Sequence, residues 1–458
     1  MNKTSLRISG VHYDTLKKHL FPGDGLEAVA FAICGRHREE GKEILSVRRI
    51  VPVPHNTCKR AKYQVAWPTD ILAQFLDEAR RYGLGVIKFH SHPETFDEFS
   101  DTDDESDLKT FSSVFSWLED GKSHGSAVML PDGRIFGRSI QRNGWQPFFV
   151  ISVIANDISY WHSETADTHA ASAFEAQIQI FGAGTTARLR KLSVGVVGCS
   201  GTGSIVVELL ARLGVGAFVL VDHDTIEERN LNRILNSKRG DVGKSKVEIL
   251  DQAVKAMGFD TRVLPLKMNL FTPIAVRAIA DCDVVFGCMD TAEGRHLLNR
   301  IATFYLIPYF DLGVHLASDG KGGIDEASGV VHYLQPGRSS LLSRKAFSLE
   351  RVRAENLYRT DPKAYKEQFH AGYIEGVIEN SPAVAGVNAT IASLAINEFL
   401  ARIHPYRSCS NSDCSIIRFN FMETSIFREE EGDPCPVLLP HIGKGDVDPL
   451  LDMPALSN

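Results

Sequence analysis

The feature that most constrains the fold is an alternation of short apolar runs with helical patterns, which begins at residue 193. The run SVGVVG leads into a glycine-rich turn and the helical pattern SIVVELLARLG, and further apolar runs follow in AFVLVD, DVVFGCMD and IPYFDLG. Strands separated by helices are typical of a parallel, doubly wound sheet. We therefore predict an α/β chain whose second part has a Rossmann-like fold.

The first 150 residues follow a different pattern. Apolar runs such as AVAFAICG and GSAVMLPDGRIFGRSI indicate strands, and DILAQFLDEARRYG has apolar residues at helical spacing before a final glycine. This part of the chain is predicted to be a compact α+β domain. We place the boundaries at 1–160 for this domain, 161–190 for a helical linker and 191–430 for the doubly wound domain. Residues 431–458, rich in turn formers and charge, are expected to be a surface tail.

Composition excludes several classes of protein. Hydrophobic residues make up 43% of the 458 and charged residues 23%, as in a globular protein with a full core. A net charge of -7 leaves no basic surplus for nucleic acid. The longest apolar runs are shorter than the roughly 18 residues that span a bilayer. Eight scattered cysteines are not a disulfide framework, so we expect a cytoplasmic protein with neither membrane nor nucleic acid as partner.

Two histidines end one of the predicted strands. In an extended segment alternate residues face the same side, so His90 and His92 can present two imidazoles to one point. Asp103 as a third ligand would complete the two-histidine, one-carboxylate set of a catalytic zinc site. A histidine pair alone would more often be surface or core residues. Here the full pattern is His-x-His-Pro, six residues, Ser, two residues, Asp.

This pattern resembles the JAMM motif of the JAB/MPN metalloproteases, which are zinc isopeptidases that cut bonds after ubiquitin-like tails. The resemblance covers about the first 150 residues. It implies that His90, His92 and Asp103 bind zinc and that Ser100 stabilises the tetrahedral oxyanion. The family also has a catalytic glutamate on an early strand, and Glu27 in LEAVAFAICG fits as general base. The alternative for Glu27 is an ordinary carboxylate at a strand edge.

A glycine-rich turn follows the SVGVVG strand. Gly198, Gly201 and Gly203 lie where backbone amides and a helix N-terminus can meet phosphates. Asp222 ends the next predicted strand, where it can hold a ribose hydroxyl. The spacing is G-x-x-G-x-G, whereas dinucleotide-binding dehydrogenases have G-x-G-x-x-G. Nicotinamide binding is therefore the less favoured option.

Charged residues downstream of this turn complete a candidate ATP site. Arg233 and Lys246 provide positive charge for a triphosphate, and Asp290 can hold magnesium beside it. From about 175 to 400 the chain resembles the adenylating domain of the ubiquitin-activating family, which includes the ThiF and MoeB sulfur-carrier activators. That resemblance implies use of ATP and Mg²⁺ to adenylate the C-terminal glycine of a ubiquitin-like protein. The nucleotide-binding residues it implies are Gly198, Gly201, Gly203, Asp222, Asp224, Asn230, Arg233, Lys246 and Asp290.

The chain departs from that family at two groups of residues. Ala176 stands where the family usually has an arginine that reaches the partner subunit's ATP phosphates. Many members also bind a structural zinc through two Cys-x-x-Cys pairs. Here Ser340 and Ser343 occupy one pair of positions, and Cys435 alone remains of the other. Because one cysteine of four cannot form a tetrahedral thiolate site, we predict no zinc there.

A third departure concerns thioester formation. Members that transfer the activated tail to a thioester have a nucleophilic cysteine between the Asp290 strand and the helix that starts near Ser381. This chain has no cysteine between Cys288 and Cys409. Cys409 and Cys414 are better interpreted as small buried hydrophobes or idle thiols.

Both resemblances point to one substrate class, and this convergence favours a bifunctional enzyme that processes and activates a ubiquitin-like protein. Two alternatives remain at this stage. One is an isopeptidase whose second domain is an inactive docking or dimerisation platform; the other is sulfur-carrier metabolism. The family resemblance further implies a ubiquitin-like, β-grasp partner, a conjugating enzyme and a homodimer. Prokaryotic versions of this domain pairing are associated with antiviral defence.

Overall fold

The computed structural model describes residues 3–163, 172–374, 376–377 and 382–457. These residues form two compact units. The first contains 3–163, Phe304–Leu306 and His441–Asp452, and the second contains the other described residues. Among the described residues, no helix combines the length and apolarity needed to cross a membrane.

A nine-stranded mixed sheet forms the centre of the first unit, in the order β11-β10-β1-β3-β2-β6-β7-β8-β9, and β4 and β5 form a separate hairpin. The strands are β1 (Lys3–Ser9), β2 (Val29–Glu39), β3 (Lys42–Pro52), β4 (Lys59–Ala61), β5 (Gln64–Ala66), β6 (Gly85–Ser91), β7 (His124–Met129), β8 (Ile135–Gln141), β9 (Gly144–Pro147), β10 (Val150–Ile154) and β11 (Ile158–His162). The helices are α1 (Gly10–Leu20), α2 (Ala73–Tyr82) and α3 (Asp101–Leu118).

Both faces of this sheet are buried, so its central strands are almost continuously apolar. Along β2, Ala30 and Ala32 belong to a core cluster that includes Leu16 of α1. The alternate residue Phe31 belongs to a second cluster, which includes Phe75 of α2 and residues of α3. This arrangement follows from the period of two along a strand. It places α3 against the face of the sheet that also carries the side chain of Phe31.

The second unit has an eight-stranded sheet in the order β14-β13-β12-β15-β16-β17-β18-β19. Its strands are β12 (Ser193–Val197), β13 (Ala217–Val221), β14 (Arg262–Leu266), β15 (Val284–Gly287), β16 (Tyr309–Ser318), β17 (Ile324–Leu334), β18 (Ile416–Asn420) and β19 (Ser425–Glu429). Its helices are α4 (Glu175–Lys191), α5 (Gly201–Arg212), α6 (Lys246–Ala256), α7 (Pro273–Ala280), α8 (Ala292–Tyr305), α9 (Leu349–Thr360), α10 (Pro362–His370) and α11 (Ala385–Ile403).

Strands β12 to β16 are parallel, and β17 to β19 continue the sheet in antiparallel fashion. This confirms the predicted doubly wound fold. The connections from β12 lead to β13 on one side and later to β15 on the other. Such a reversal opens a crevice at the carboxyl ends of the strands, where open α/β sheets bind ligands. The glycine-rich turn therefore lies at this edge.

Residues near the C-terminus differ from the expected surface tail. The side chains of Ile442, Leu450 and Leu451 are buried. The segment His441–Asp452 belongs to the first unit, where the amide of Gly35 donates to the carbonyl oxygen of Gly443 at 3.1 Å. Polar and turn-forming residues suggested exposure, but the three apolar side chains among them find a core far away in sequence.

The expected helical linker at 161–190 is described only in part. Residues 164–171 of that segment and Ser381, at the start of the motif before α11, lie outside the described residues. The described part of the linker segment contains α4.

Hydrogen bonds and an ion pair occupy the region that carries serines instead of zinc-binding cysteines. The amides of Ser340 and Ser343 each donate to the other residue's hydroxyl, at 2.9 and 3.1 Å. Nearby, Arg344 and Glu431 form an ion pair at 3.1 Å, with side chains 5% and 12% exposed. The Arg344 guanidinium also donates to the hydroxyl of Ser339. These contacts connect the turn after β17 to the segment that follows β19.

We expect Glu431→Ala to lower the stability of the second unit markedly, because it leaves the buried Arg344 guanidinium without its carboxylate. Breaking a buried pair in this way costs about 3–5 kcal/mol. Glu429→Ala is the matched control, since it breaks the Arg418–Glu429 pair of the same sheet, in which both side chains are about half exposed. That loss should be below about 1 kcal/mol. Thermal and urea unfolding of the full chain measures both, and equal losses would contradict this account.

Candidate functional sites

Three metal-binding side chains converge at the end of β6. His90 lies on the strand, His92 follows it, and Asp103 comes from the first turn of α3. The Nε2 atom of His90 is 2.9 Å from Asp103 Oδ1 and 3.2 Å from His92 Nε2. His92 Nε2 is 3.5 Å from Asp103 Oδ2. The structure thus brings together the three residues that the sequence singled out as a metal site.

The donor set of this triad fits a divalent metal ion such as zinc. His92 Nδ1 is 2.8 Å from the carbonyl oxygen of Phe96, so this nitrogen carries the proton and Nε2 keeps its lone pair. His90 Nδ1 is buried and has no hydrogen-bond partner among the described residues. Its Nε2 atom is the one that points to Asp103. Two imidazoles and a carboxylate are the three-ligand set of catalytic zinc sites, which leave a fourth position open.

Glu27 lies beside the triad. The amide of Ser91 donates to the carbonyl oxygen of Ala28, and Val29 pairs with His90, so the antiparallel register places Glu27 opposite His92. Glu27 is 6% exposed and lines a pocket together with His90 and Asp103. Burial raises the pKa of Glu27 to about 7. A buried carboxyl group of this kind differs from the alternative of a solvated strand-edge carboxylate and can exchange a proton near neutral pH.

Ser100 contacts the Asp103 carboxylate directly. It is the N-cap residue of α3, and its hydroxyl donates to Asp103 Oδ2 at 2.8 Å and accepts from the Asp103 amide at 3.2 Å. The Ser100 amide donates to the same carboxylate oxygen at 2.8 Å. This reciprocal capping satisfies orphan amides at the helix start and orients Asp103. The oxyanion role of Ser100 stays a prediction.

The glycine positions of the glycine-rich turn in the second unit leave no space for a side chain. Gly198 has φ +90°, and a Cβ atom on Gly203 would lie 1.8 Å from the carbonyl oxygen of Gly198. The following helix, α5, has no side-chain cap hydrogen bond from Ser200 within the described part of the chain. Its first amides therefore remain available to an anion, in contrast to the capped start of α3.

Asp222 connects two of the loops at this edge. Its carboxylate accepts the amide of Cys199 at 2.7 Å and that of Asp224 at 2.9 Å. Asp224 in turn forms an ion pair with Lys246 at 2.7 Å, and Lys246 is 6% exposed at the start of α6. These contacts join the glycine-rich turn, through the Cys199 amide, to Asp222, Asp224 and Lys246 in one network.

Gly201 closely approaches Arg233 and a residue that sequence reasoning did not single out. A Cβ atom on Gly201 would lie 3.2 Å from Arg233 Cδ and 2.3 Å from Asn388 Nδ2. Asn388 is 4% exposed and belongs to α11. Sequence reasoning could have found Asn388 because it is an amide side chain in a helix rich in apolar residues. In the structure Asn388 places a polar group next to the glycine-rich turn.

The two remaining candidate residues have different surroundings. Asn230 is buried, and its side-chain oxygen accepts the amide of Glu227 at 3.0 Å, which makes it a turn-stabilising residue in this structure. Asp290 is exposed after β15. It follows Cys288 closely, and the Cys288 amide donates to the carbonyl oxygen of Val197 at 2.8 Å. Asp290 therefore lies at the same sheet edge as the glycine turn.

The chain belongs to the ThiF family, whose sequence profile matches residues 174–436. A second profile, of prokaryotic homologs of the JAB domain, matches residues 11–142. These matches confirm the resemblance inferred for each half of the sequence.

Several curated proteins are similar to part of this chain. The ubiquitin-like modifier-activating enzyme 5 of Aedes aegypti is 28% identical over 193 residues, which is 40% of this chain and 45% of that protein. The SAMP-activating enzyme E1 of Haloferax volcanii is 35% identical over 121 residues, 26% of this chain and 45% of that protein. The matched region thus spans less than half of each relative. A crystal structure of E. coli MccB with ATP is similar over 59% of this chain and 74% of that chain, at 18% identity and a TM-score of 0.43.

We expect Ser100→Ala to destabilise the first turn of α3, because it removes both the helix cap and the hydrogen bond to Asp103. Loss of an N-cap costs about 1 kcal/mol. Amide hydrogen exchange in residues 101–104 should accelerate, as measured by mass spectrometry. Ser348→Ala is the matched control: Ser348 caps α9 by accepting the amide of Arg351 at 3.1 Å. Unchanged exchange in α3 would contradict the capping role.

Proposed function

We propose that this protein is a bifunctional enzyme that processes and then activates a ubiquitin-like protein. The first unit cuts the peptide or isopeptide bond after the terminal glycine, and the second adenylates the glycine carboxylate. The observation that carries the proposal is the convergence of His90, His92 and Asp103 beside Glu27, in a chain that also has a ThiF-type glycine turn. Relatives named as ubiquitin-like modifier-activating enzymes support the substrate class.

The peptidase reaction depends on the acidic side chains around the triad. A zinc ion held by His90, His92 and Asp103 would supply a Lewis acid that lowers the pKa of water toward neutrality. Glu27 accepts the proton of the attacking water at its carboxylate and then donates it to the leaving amine nitrogen. Ser100 keeps the Asp103 carboxylate in place throughout. The products are a free amine and a ubiquitin-like protein that ends in a glycine carboxylate.

Adenylation uses the carboxyl edge of the second sheet. The glycine carboxylate attacks the α-phosphorus of ATP, and pyrophosphate leaves as the acyl adenylate forms. Amides of the Gly198–Gly203 turn bind phosphate oxygens, while Lys246 and Arg233 neutralise their charge. Asp290 would hold a Mg²⁺ ion, which would neutralise further phosphate charge. Positioning and charge neutralisation supply most of the rate enhancement in such a reaction.

A second candidate function is an isopeptidase whose second unit only binds the ubiquitin-like protein. Two observations favour it. Ala176 replaces the family arginine that reaches the phosphates of a partner subunit. In addition, the ammonium group of Lys246 is already paired with Asp224 at 2.7 Å.

For both candidate functions we propose a ubiquitin-like protein as the main partner. A second copy of this chain, in a homodimer, and a conjugating enzyme are the further proposed partners.

Pyrophosphate exchange separates the two candidates. With the purified full chain, a ubiquitin-like protein ending in glycine and Mg-ATP, we expect exchange that Asp290→Ala lowers by at least about 100-fold, because the magnesium ligand is lost. Asp325→Ala, at the exposed start of β17, is the matched control and should leave exchange unchanged. If the unmodified chain shows no exchange while cleavage of a tail fusion is intact, the binding-only function is correct.

Cleavage of a ubiquitin-like tail fusion tests the peptidase. We expect a chelator to abolish cleavage, zinc to restore it, and His92→Ala to remove both cleavage and tight zinc binding. Glu27→Gln should keep zinc binding but lower the cleavage rate by about 10²–10⁴-fold, because only the proton carrier is lost. Glu78→Gln, in α2 and away from the pocket, is the control. Cleavage by Glu27→Gln at the unmodified rate would refute the assigned role of Glu27.

A further inference from the structure

A largely buried cluster of charged side chains lies beside the metal triad. It consists of Lys88 on β6, Arg138 on β8, and Asp104 and Asp107 on α3, and we call it the Lys88 cluster. The Lys88 ammonium is 2.5 Å from Asp107 Oδ1 and donates to the Ser106 hydroxyl at 3.1 Å. Arg138 donates to Asp107 Oδ2 at 2.7 and 3.1 Å and to Asp104 Oδ1 at 2.5 Å. Two cations are thereby matched by two carboxylates.

Three members of the cluster are withdrawn from water. The side chains of Lys88 and Arg138 are 3% exposed and that of Asp107 is 5% exposed. Removing such charges from water is costly, and well-packed apolar residues often replace a buried ion pair without loss of stability. Stability alone therefore does not account for a lysine within the apolar strand segment GVIKFH. The location of the cluster offers a better explanation.

The Lys88 cluster connects the same two elements as the metal triad, β6 and α3, at neighbouring positions on each. Lys88 precedes His90 by two residues on β6, so both side chains lie on one face of the strand. Asp107 follows Asp103 by four residues on α3, so both lie on one face of the helix. The contacts Lys88–Asp107 and His90–Asp103 are thus consecutive links between strand and helix.

Arg138 strengthens this connection at the start of the helix. Its guanidinium lies 3.9 Å from the ring centroid of Phe99, the residue before Ser100. It also binds Asp104, the neighbour of Asp103. The entry to α3 and its first two turns are therefore attached to β6 and β8 by charged contacts on both sides of the metal-ligand carboxylate.

We infer that Lys88 and Asp107 are positioning residues, which hold the Asp103 carboxylate at the distance from His90 and His92 that a metal ion requires. The inference rests on the proposed zinc site. Metal affinity depends on ligand distances to a few tenths of an ångström, so a small displacement of α3 relative to β6 weakens binding. Lys88 needs no contact with the metal or the substrate for this role.

Zinc affinity of the Lys88→Met variant is the test. Competition with a chromogenic chelator gives the Kd of the full chain for Zn²⁺, and visible absorption of the Co²⁺-substituted protein reports the coordination geometry. We expect Lys88→Met to bind Zn²⁺ 10–100-fold more weakly, as is usual when a residue that supports metal ligands is lost. Its Co²⁺ spectrum should change as well. Lys88→Arg, which keeps a cation for Asp107, should recover part of the affinity.

Lys109→Met is the matched control. Lys109 also lies on α3, but its side chain is 80% exposed. Its Nζ atom is 3.9 Å from Oε2 of Glu105, whose side chain is 76% exposed. Its Kd and Co²⁺ spectrum should equal those of the unmodified chain. Lys88→Met leaves Asp107 bound to Arg138, so the variant is expected to fold, and thermal unfolding of the metal-free protein verifies this. If it does not fold, Asp107→Asn preserves the volume and undergoes the same measurements.

Two outcomes would overturn the inference, and they differ from each other. If folded Lys88→Met has the Kd and Co²⁺ spectrum of the unmodified chain, the positioning role is wrong while the zinc site stands. If the unmodified chain itself binds Zn²⁺ no more tightly than a His90→Ala, His92→Ala double variant, the proposed zinc site fails and the positioning role fails with it.

Discussion

The hydrogen-bonding needs of helix N-termini that follow buried strands govern both candidate sites. At the start of α3 the chain satisfies its own amides, because Ser100 and Asp103 cap the helix reciprocally. The same capping contacts fix the carboxylate that faces His90 and His92. At the start of α5 no comparable cap is present within the described residues, and close backbone contacts exclude a side chain at Gly198 and Gly203. One helix start thus fixes a carboxylate beside two imidazoles, whereas the other leaves its first amides without a side-chain cap.

Local patterns in the sequence predicted most of what these sites contain. The spacing of His90, His92 and Asp103 was sufficient because the two histidines lie at the end of one strand and the carboxylate lies in the first turn of the next helix, so little long-range information was needed. The alternation of strands and helices likewise predicted the parallel sheet. Two features depended on long-range contacts and were missed or misjudged. Asn388 approaches Gly201 from a helix far along the chain, and Ile442 and Leu450 pack into the first unit although their neighbours are polar.

The region around Ser340 illustrates a different limit of sequence reasoning. Because three of the four zinc-binding cysteines are missing there, we predicted no zinc site. The sequence did not indicate what connects the turn after β17 to the segment after β19. In the structure this connection depends on Arg344 and Glu431, a pair that is widely separated in sequence and nine-tenths buried on average. A guanidinium can bind a carboxylate and backbone or hydroxyl oxygens at once, since it has five donors in a fixed plane. An arginine can therefore join several segments, as a metal ion does, without any cysteine.

The two proposed reactions also constrain each other. Cleavage of the amide bond after glycine would leave a carboxylate, and adenylation would convert that carboxylate into an acyl adenylate, a mixed anhydride, with release of pyrophosphate from ATP. If the activated tail were coupled to an amine and the same peptidase then cut the new bond, each cycle would consume one ATP without net product. The bond that the first unit cuts must therefore differ from the bond that activation finally creates. Since both bonds have the same glycine on one side, discrimination between them would have to come from the group on the amine side. Selection of that group, more than recognition of the ubiquitin-like tail, would then determine whether the two proposed activities cooperate.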